Sequence, residues 1–133
     1  MARFFLFAFF LLSSFQSFAQ VQSLAGEWLF RMDSVQQSAP IQLPGSCEEQ
    51  GFGAKAIVRD SNRLTRAIRY VGKAWYQKTI TIPQQWKGKR VELFLERSKR
   101  ESAAWLEGKP FGLRNSLSTP HLYDVGIIEP GPH

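Results

Sequence analysis

Three residue types that could form a hydrolytic triad lie close together near the end of the chain. Ser116, His121 and Asp124 fall within the stretch RNSLSTPHLYDV. A triad needs its serine, histidine and carboxylate to be aimed at one another by the surrounding fold. Here one short segment carries all three, with no other part of the fold to aim them. The spacing therefore argues against a triad.

Two other pairs of reactive residues are also weak candidates for catalysis. Cys47 with His121 is a conceivable nucleophile and base, but no nucleophile signature surrounds the cysteine, and a lone cysteine is more often an apolar filler. Glu48 and Glu49 are adjacent, so in an extended segment they point to opposite faces. Glycoside cleavage needs two carboxylates about 5 to 9 Å apart across one bond. We expect no catalytic residue in this chain.

The sequence also predicts no metal site and no cofactor. The soft ligands are His121, His133 and Cys47, and they share no metal-binding spacing. There is neither a glycine-rich phosphate loop after a strand nor a GxSxG motif.

Aromatic residues near polar loops are the remaining candidates for binding. The apolar C–H face of a sugar can stack on an aromatic ring, while its hydroxyl groups need a few placed polar partners. The residues that could serve are Trp28, Trp75, Tyr76, Trp86, Trp105 and Tyr123. Tryptophan on a strand is more often buried, so for Trp28 and Trp105 we favour a place in the core.

The N-terminus predicts export. A short basic start at Arg3 precedes an apolar run from Phe4 to Leu12, and small residues follow at Ser17 and Ala19. This is the pattern of a signal peptide over residues 1–19, cleaved after Ala19, and the run is too short for a membrane span. We expect a secreted or periplasmic protein without a membrane span.

The net charge of +6 raises the alternative of a nucleic-acid-binding protein. The basic residues gather in three runs, at 55–73, 87–90 and 97–100. The last two lie at expected strand ends, where solvated charge is ordinary, and export makes a nucleic-acid partner improbable. The single cysteine allows no internal disulfide, so packing alone must hold the fold.

Alternating patterns predict short β-strands throughout and almost no helix. Expected strands are GEWLFRM (26–32), a short strand in IQLPGS that Pro44-Gly45 stops, WYQKTITI (75–82), RVELFLE (90–96), a hairpin over 102–112 that turns at Glu107-Gly108, and HLYDV (121–125). Gly51 to Tyr70 should be the least ordered part. The sequence predicts an all-β sandwich or jelly roll. Because Pro130-Gly131 signals a turn with almost nothing after it, we expect the last strand or strands to be missing.

Five blocks in this order resemble a known family. They are LAGEWLFRMD, LPGSCEEQGFG, GKAWYQKTITIPQQWKGKRVELFLER, AAWLEGKPFGLRNSLSTPHLYDVG and a final PG. Together they resemble the N-terminal sugar-binding domain of family 2 glycoside hydrolases, which include β-galactosidases, β-glucuronidases and β-mannosidases. The resemblance covers Leu24 to Gly131.

The resemblance implies a galactose-binding-like jelly-roll sandwich over residues 20–133, truncated at its C-terminus. In the family this domain is non-catalytic and shapes the sugar site of a TIM barrel, whose two catalytic glutamates would lie beyond position 133. The implied ligand is a terminal β-linked sugar. Asn115, in the loop LRNSL, is the first candidate for contacting it, and Asp60 and Asn62, after the GFG block, are the next. Local turn capping by these polar side chains is the alternative.

A second class of function stays open. The same β-sandwich could be a free-standing lectin-like or protein-interaction module with no enzyme attached. The sequence leaves the sugar, the linkage and the oligomeric state undetermined.

Overall fold

The computed structural model describes residues 19–56 and 67–133, which fold into an all-β structure. The strands are β1 (Gly26–Met32), β2 (Ala39–Leu43), β3 (Ala54–Lys55), β4 (Ile68–Arg69), β5 (Ala74–Gln77), β6 (Thr81–Ile82), β7 (Arg90–Leu95), β8 (Arg100–Leu106), β9 (Lys109–Ser116), β10 (His121–Ile127) and β11 (Gly131–Pro132). A single 3-10 turn, Gln84–Trp86, is the one helical segment in these ranges. No helix in the described part of the chain is long and apolar enough to cross a membrane.

Strand β1 is the centre of a three-stranded antiparallel sheet in the order β2-β1-β5. Alternation along β1 places Phe30 on the face that meets the core and Arg31 on the opposite face. Directly opposite residues share a face, so Tyr76, the partner of Phe30, lies on the core side and Trp75, the partner of Arg31, on the outer side. Both side chains are partly exposed, at 41% and 42%. This sheet therefore presents an aromatic ring and a cation together on its outer side.

The core is built mainly from aromatic and branched side chains. Phe30 and Ile41 are each 1% exposed and Tyr123 is 0% exposed. The Phe30 ring lies 4.6 Å from the Phe52 ring and 5.1 Å from that of Tyr76, both tilted. Tilted aromatic pairs at such distances contribute about 0.5 to 1.5 kcal/mol each beyond the area they bury. These rings link the first sheet to the GFG segment.

Strands β7 and β10 form an antiparallel pair that follows the predicted alternation. Val91, Leu93 and Leu95 are half-buried, whereas Phe94 between them is 56% exposed. The register shifts between Asp124 and Gly126, a bulge that lets β10 continue to Ile127, two residues beyond its predicted end. Strand β10 also packs beside β9, which joins this pair to the β8–β9 hairpin.

The hairpin is longer than the sequence predicts, although its turn is placed correctly. Glu107 and Gly108 both have positive φ, at 50° and 80°, as a two-residue type I′ turn requires. In the register, only Ala104 lies between the pairs formed by Ala103 and Trp105, whereas two residues, 111 and 112, lie between their partners on β9. Gly112 adopts φ 86° at this bulge, so pairing resumes beyond it and β9 runs on to Ser116.

Three other predicted elements differ from the structure. The strand expected over 75–82 is broken after Gln77, where its pairing with β1 ends, and Ile80 pairs instead with the backbone of His133. The Lys78 ammonium at the break donates to the carbonyl oxygen of Glu27 at 3.0 Å. The short strand expected in IQLPGS ends at Leu43, before Pro44-Gly45 as predicted, but it begins two residues earlier than expected, at Ala39. Within 51–70 the flanks form the β3–β4 pair, and residues 57–66 lie outside the described ranges.

Candidate functional site

Asn115, the first predicted sugar-contact residue, lies in a strand and not in a loop. It is the penultimate residue of β9, is exposed, and pairs with Glu101 of β8. The turn begins after it, where the Ser116 hydroxyl accepts hydrogen bonds from the Thr119 amide at 3.0 Å and the Thr119 hydroxyl at 2.6 Å. Ser116 therefore caps the turn, the role considered as the alternative for Asn115. Within residues 19–56 and 67–133 the Asn115 side chain makes no hydrogen bond.

One face of the β8–β9 hairpin carries Asn115 together with exposed apolar side chains. Opposite residues share a face, so this hairpin outer face consists of three cross-strand pairs. They are Glu101 with Asn115, Ala103 with Leu113, and Trp105 with Pro110. Leu113 is 54% exposed and Trp105 is 51% exposed. Since a strand rises about 3.3 Å per residue, the first and last pairs are separated by about 13 Å.

Trp105 contacts a second exposed tryptophan from the neighbouring sheet. The ring of Trp75 lies 5.8 Å from that of Trp105, with 38° between the two planes. Trp75 is 42% exposed, and the guanidinium carbon of Arg31 lies 5.6 Å from the centre of its ring. These three residues form an open aromatic and cationic surface. The prediction that Trp105 belongs to the core is wrong, because Ala104 and Leu106 supply the apolar side of β8 instead.

Trp28 is closer to the expectation for a core residue. It is half-buried, on the same face of β1 as Phe30, and its indole N–H donates to the carbonyl oxygen of Leu24 at 2.8 Å. The Lys78 ammonium lies 5.6 Å from the Trp28 ring. The indole N–H and one face of the Trp28 ring are therefore already in contact with other groups of the protein.

The inner face of the hairpin holds a buried polar network. The Ser102 hydroxyl lies 2.6 Å from His121 Nδ1 and 2.7 Å from the Tyr123 hydroxyl, which donates to the Ser102 carbonyl oxygen at 2.6 Å. His121 Nε2 lies 3.2 Å from the carbonyl oxygen of Ser116. With the imidazole proton on Nε2, that nitrogen donates to the Ser116 carbonyl oxygen and Nδ1 accepts from the Ser102 hydroxyl. Both hydroxyl hydrogens are then used, so the hydroxyl oxygens of Ser102 and Tyr123 are in contact at 2.7 Å without a hydrogen between them. With His121 2% exposed and Tyr123 0% exposed, no substrate reaches this network.

Asp124, the third member of the dismissed triad, pairs elsewhere. Its carboxylate accepts two hydrogen bonds from the Arg90 guanidinium, one from Nε at 2.9 Å and one from Nη2. The bonds from Arg90 hold the pKa of Asp124 below its usual value, and the amide of Gly126 donates a further bond at 3.1 Å. The geometry thus agrees with the expectation that Ser116, His121 and Asp124 form no triad.

The carboxylates of Glu48 and Glu49 accept hydrogen bonds from backbone amides at different places, so they do not face one substrate bond. Glu49 and Ser46 cap each other's amides at 3.3 and 3.2 Å, whereas Glu48 accepts from the amide of Tyr70 at 3.1 Å. Cys47 is half-buried, and burial, followed by the charge of Cys47, raises the pKa of Tyr76. Both ring nitrogens of His121 are already engaged with residues other than Cys47. Among the described residues no three His, Cys, Asp or Glu side chains cluster as metal ligands would.

A second electrostatic contact closes the tip of the hairpin. His133 Nδ1 lies 2.9 Å from a carboxylate oxygen of Glu107, and Nε2 lies 2.8 Å from the carbonyl oxygen of Glu129. The carbonyl of Glu129, reinforced by the Glu107 carboxylate, raises the pKa of His133. The contact ties the hairpin turn to the segment that follows β10.

Asp60 and Asn62, the lower-ranked predicted sugar contacts, lie outside the described residues. Sequence reasoning had named Trp75 and Trp105 as possible sugar platforms but missed Arg31 and Leu113. Arg31 can be placed beside Trp75 only when the pairing of β1 with β5 is known. Leu113 can be placed on the same face as Trp105 only when the bulge at Gly112 is known.

Comparison with known proteins places the fold among glycosidase domains. No known family profile matches the chain. A β-glucuronidase from Paenibacillus borealis is 22% identical over 102 residues, covering 67% of this chain and 15% of its own length. The solved b-glucuronidase from Ruminococcus gnavus, in complex with C6-substituted uronic isofagomine, matches with a TM-score of 0.64 and 20% identity, over 83% of this chain and 19% of that one.

The chain therefore spans less than a fifth of either relative. The structural match confirms the predicted β-sandwich class, and the two matches agree with the resemblance seen in the sequence blocks. The chain is a domain related to the family 2 glycoside hydrolases.

Proposed function

We propose that the chain is the non-catalytic carbohydrate-binding domain of a secreted exo-β-glycosidase, in which it shapes the sugar site of a TIM barrel that lies outside these 133 residues. The observation that carries the proposal is the fold match to a β-glucuronidase, which takes in 83% of this chain but only 19% of that enzyme. The hydrolytic groups would then belong to the remainder of the protein.

The residues of the chain support a binding role. The candidate catalytic groups at Ser116, His121 and Asp124 are occupied by structural bonds, whereas Asn115 presents an exposed side chain. An amide offers two donor hydrogens and an accepting oxygen, which suits the hydroxyl groups of a sugar. Asn115 is therefore the proposed first contact, with Asp60 and Asn62 as further proposed contacts.

The proposed substrate is a terminal β-linked sugar, with a β-glucuronide favoured over a β-galactoside. Both reported relatives are β-glucuronidases, and one was solved with a uronic isofagomine. No cofactor is needed in this proposal. Export through a signal peptide over residues 1–19 belongs to the same proposal, and the exported chain should begin at Gln20 when its N-terminus is sequenced.

The test is to express the chain together with the coding sequence downstream of His133 and to assay aryl β-glucuronides and aryl β-galactosides. Hydrolysis of the glucuronide is expected, unchanged by a metal chelator. Asn115→Ala should reduce kcat/KM by about 2- to 13-fold, the equivalent of one hydrogen bond of about 0.5 to 1.5 kcal/mol. Ser118→Ala, at an exposed position in the following turn, is the control and should have no effect.

A downstream sequence without a barrel, or an extended protein without glycosidase activity, would overturn the enzyme-domain proposal. The free-standing lectin-like module would then be the better reading of the same β-sandwich. An Asn115→Ala variant with normal kinetics would retain the enzyme domain but remove Asn115 from the sugar site.

A further inference from the structure

We propose that the hairpin outer face, together with Trp75 and Arg31, forms an extended surface for an acidic oligosaccharide, in which a uronate ring stacks on the two tryptophans and its carboxylate pairs with Arg31. This inference rests on the proposed carbohydrate-binding role and names the ligand class and the residues that bind it. It requires no barrel, so it is tested on the chain alone.

The aromatic platform is the first support. Trp75 and Trp105 are 42% and 51% exposed although both are large apolar side chains. Their rings come from different sheets and meet at 5.8 Å, tilted by 38°, so they form an open angle and not a closed stack. An open pair of indoles leaves ring area for the C–H face of a sugar, which combines an apolar body with polar groups at its rim.

The second support is the cation beside the platform. The Arg31 guanidinium carbon lies 5.6 Å from the ring centre of Trp75, and Arg31 faces it across the β1–β5 pair. Among the described residues no carboxylate forms a salt bridge with Arg31. A guanidinium recognises a carboxylate through two parallel hydrogen bonds, so a C6 carboxylate is the complementary group.

The other end of the surface carries an amide and a carboxylate, Asn115 and Glu101, in place of a cation. Asn115 lies about 13 Å from the Trp105 pair along the hairpin, with exposed Leu113 between them. That separation fits several linked sugar rings better than one. Glu101 faces Asn115 there and would repel a carboxylate, so the acidic ring belongs at the tryptophan end.

A second exposed apolar surface on the molecule lacks these properties. On the β7–β10 pair, Phe94 and Leu122 are 56% and 46% exposed. The cation on that surface, Arg90, is already bound in a bidentate pair with Asp124. It therefore offers neither a second aromatic ring nor an available guanidinium, and it provides a control for exposed apolar area alone.

The experiment titrates the purified chain with a β-linked tetrasaccharide of glucuronic acid and with the neutral glucose tetrasaccharide of the same linkage, by calorimetry and tryptophan fluorescence. The acidic ligand should bind more tightly, and added salt should weaken it. Trp105→Ala and Trp75→Ala should each weaken both ligands by about 2- to 13-fold, as expected for the loss of an aromatic contact of about 0.5 to 1.5 kcal/mol. Trp105→Phe should keep part of the affinity.

Arg31→Gln distinguishes the roles of charge and stacking. It should weaken the acidic ligand and remove the salt dependence while leaving the neutral ligand unchanged. Phe94→Ala, which removes an aromatic ring of similar exposure, should leave both affinities at the wild-type value. Urea unfolding of each variant shows whether a loss of binding reflects a loss of folded protein.

Two results would overturn the inference. One is the absence of binding of either tetrasaccharide to the folded chain, and the other is wild-type affinity in both tryptophan variants. Failure here with glycosidase activity in the extended protein removes this surface and leaves the proposed function intact. If the chain binds the tetrasaccharide but the extended protein has no glycosidase activity, the surface is retained, the enzyme-domain proposal fails and the free-standing module is favoured.

Discussion

The two faces of the β8–β9 hairpin come from the same strands yet hold their polar groups in opposite ways. On the inner face, the hydroxyls of Ser102 and Tyr123 and both ring nitrogens of His121 have partners between 2.6 and 3.2 Å away. On the outer face, Asn115 makes no hydrogen bond within the described residues, and Trp105 is half exposed. The polar groups of the inner face are satisfied by the fold, and those of the outer face are exposed to solvent.

The difference follows from what burial demands. A buried polar group without a partner costs about 1 to 3 kcal/mol, so the inner residues must bond one another. An exposed amide or indole loses little, because water serves it until a ligand displaces that water. Substitutions on the inner face should therefore change stability, and substitutions on the outer face should change binding.

The largest expected effect contrasts one aromatic residue from each face. Tyr123→Ala removes a side chain that is 0% exposed and should destabilise the chain by about 3 to 5 kcal/mol through the cavity that it leaves. Trp105→Ala removes a larger ring that is 51% exposed and should cost about 1 kcal/mol, chiefly its contact with Trp75. Urea unfolding monitored by circular dichroism measures both. Equal losses would mean that the outer face is part of the core.

The next effect tests whether the inner network acts as a unit. Tyr123→Phe keeps the ring but removes the hydroxyl that donates to the Ser102 carbonyl oxygen, and should cost about 1 to 3 kcal/mol. Ser102→Ala should cost a similar amount, because His121 Nδ1 loses its partner. Since the two hydroxyl oxygens lie 2.7 Å apart within one network, the double variant should lose less than the sum, by about 0.5 to 3 kcal/mol. Strict additivity would show that the bonds are independent.

The sequence predicts such a two-faced hairpin only in part. Alternation identifies which residues share a face, and the Glu107-Gly108 turn fixes where the chain reverses, so both were predictable. Trp105 was misassigned because β8 has apolar residues on both sides: Ala104 is buried and Trp105 is not. The tryptophan was expected in the core because tryptophan on a strand is more often buried. Only the position of β10, a distant segment, decides which side is covered.

Asn115 shows a different limit. Asn, Ser and Pro favour turns, so NSLSTP indicates a loop by local propensity. The strand nevertheless continues to Ser116, because the bulge at Gly112 restores the register and β8 supplies partners as far as Arg100. Likewise, the backbone pairing of Ile80 with His133 joins residues 53 positions apart, and no local sequence pattern predicts it. Pairing between distant segments was the part that sequence reasoning could not supply.

The smallest expected effect lies at the hairpin tip, where the two faces end. Because the folded pKa of His133 is raised, its contribution to stability is complete below the unfolded value of about 6.5 and is lost as the pH rises through the folded value. Glu107→Gln removes the carboxylate and should lower the His133 pKa, measured by NMR titration of the imidazole. The stability lost in this variant should be greater at pH 5.5 than at pH 8.

Glu129→Gln is the matched control for that measurement, because His133 bonds the backbone carbonyl of Glu129 and not its side chain. It should leave the His133 pKa close to the wild-type value. If both variants lower the pKa equally, general negative charge and not the 2.9 Å contact with Glu107 is responsible. If neither does, the carbonyl of Glu129 alone accounts for the shift. The tip would then be held by backbone bonding, as the inner face is, and would lack a charge-dependent contact of its own.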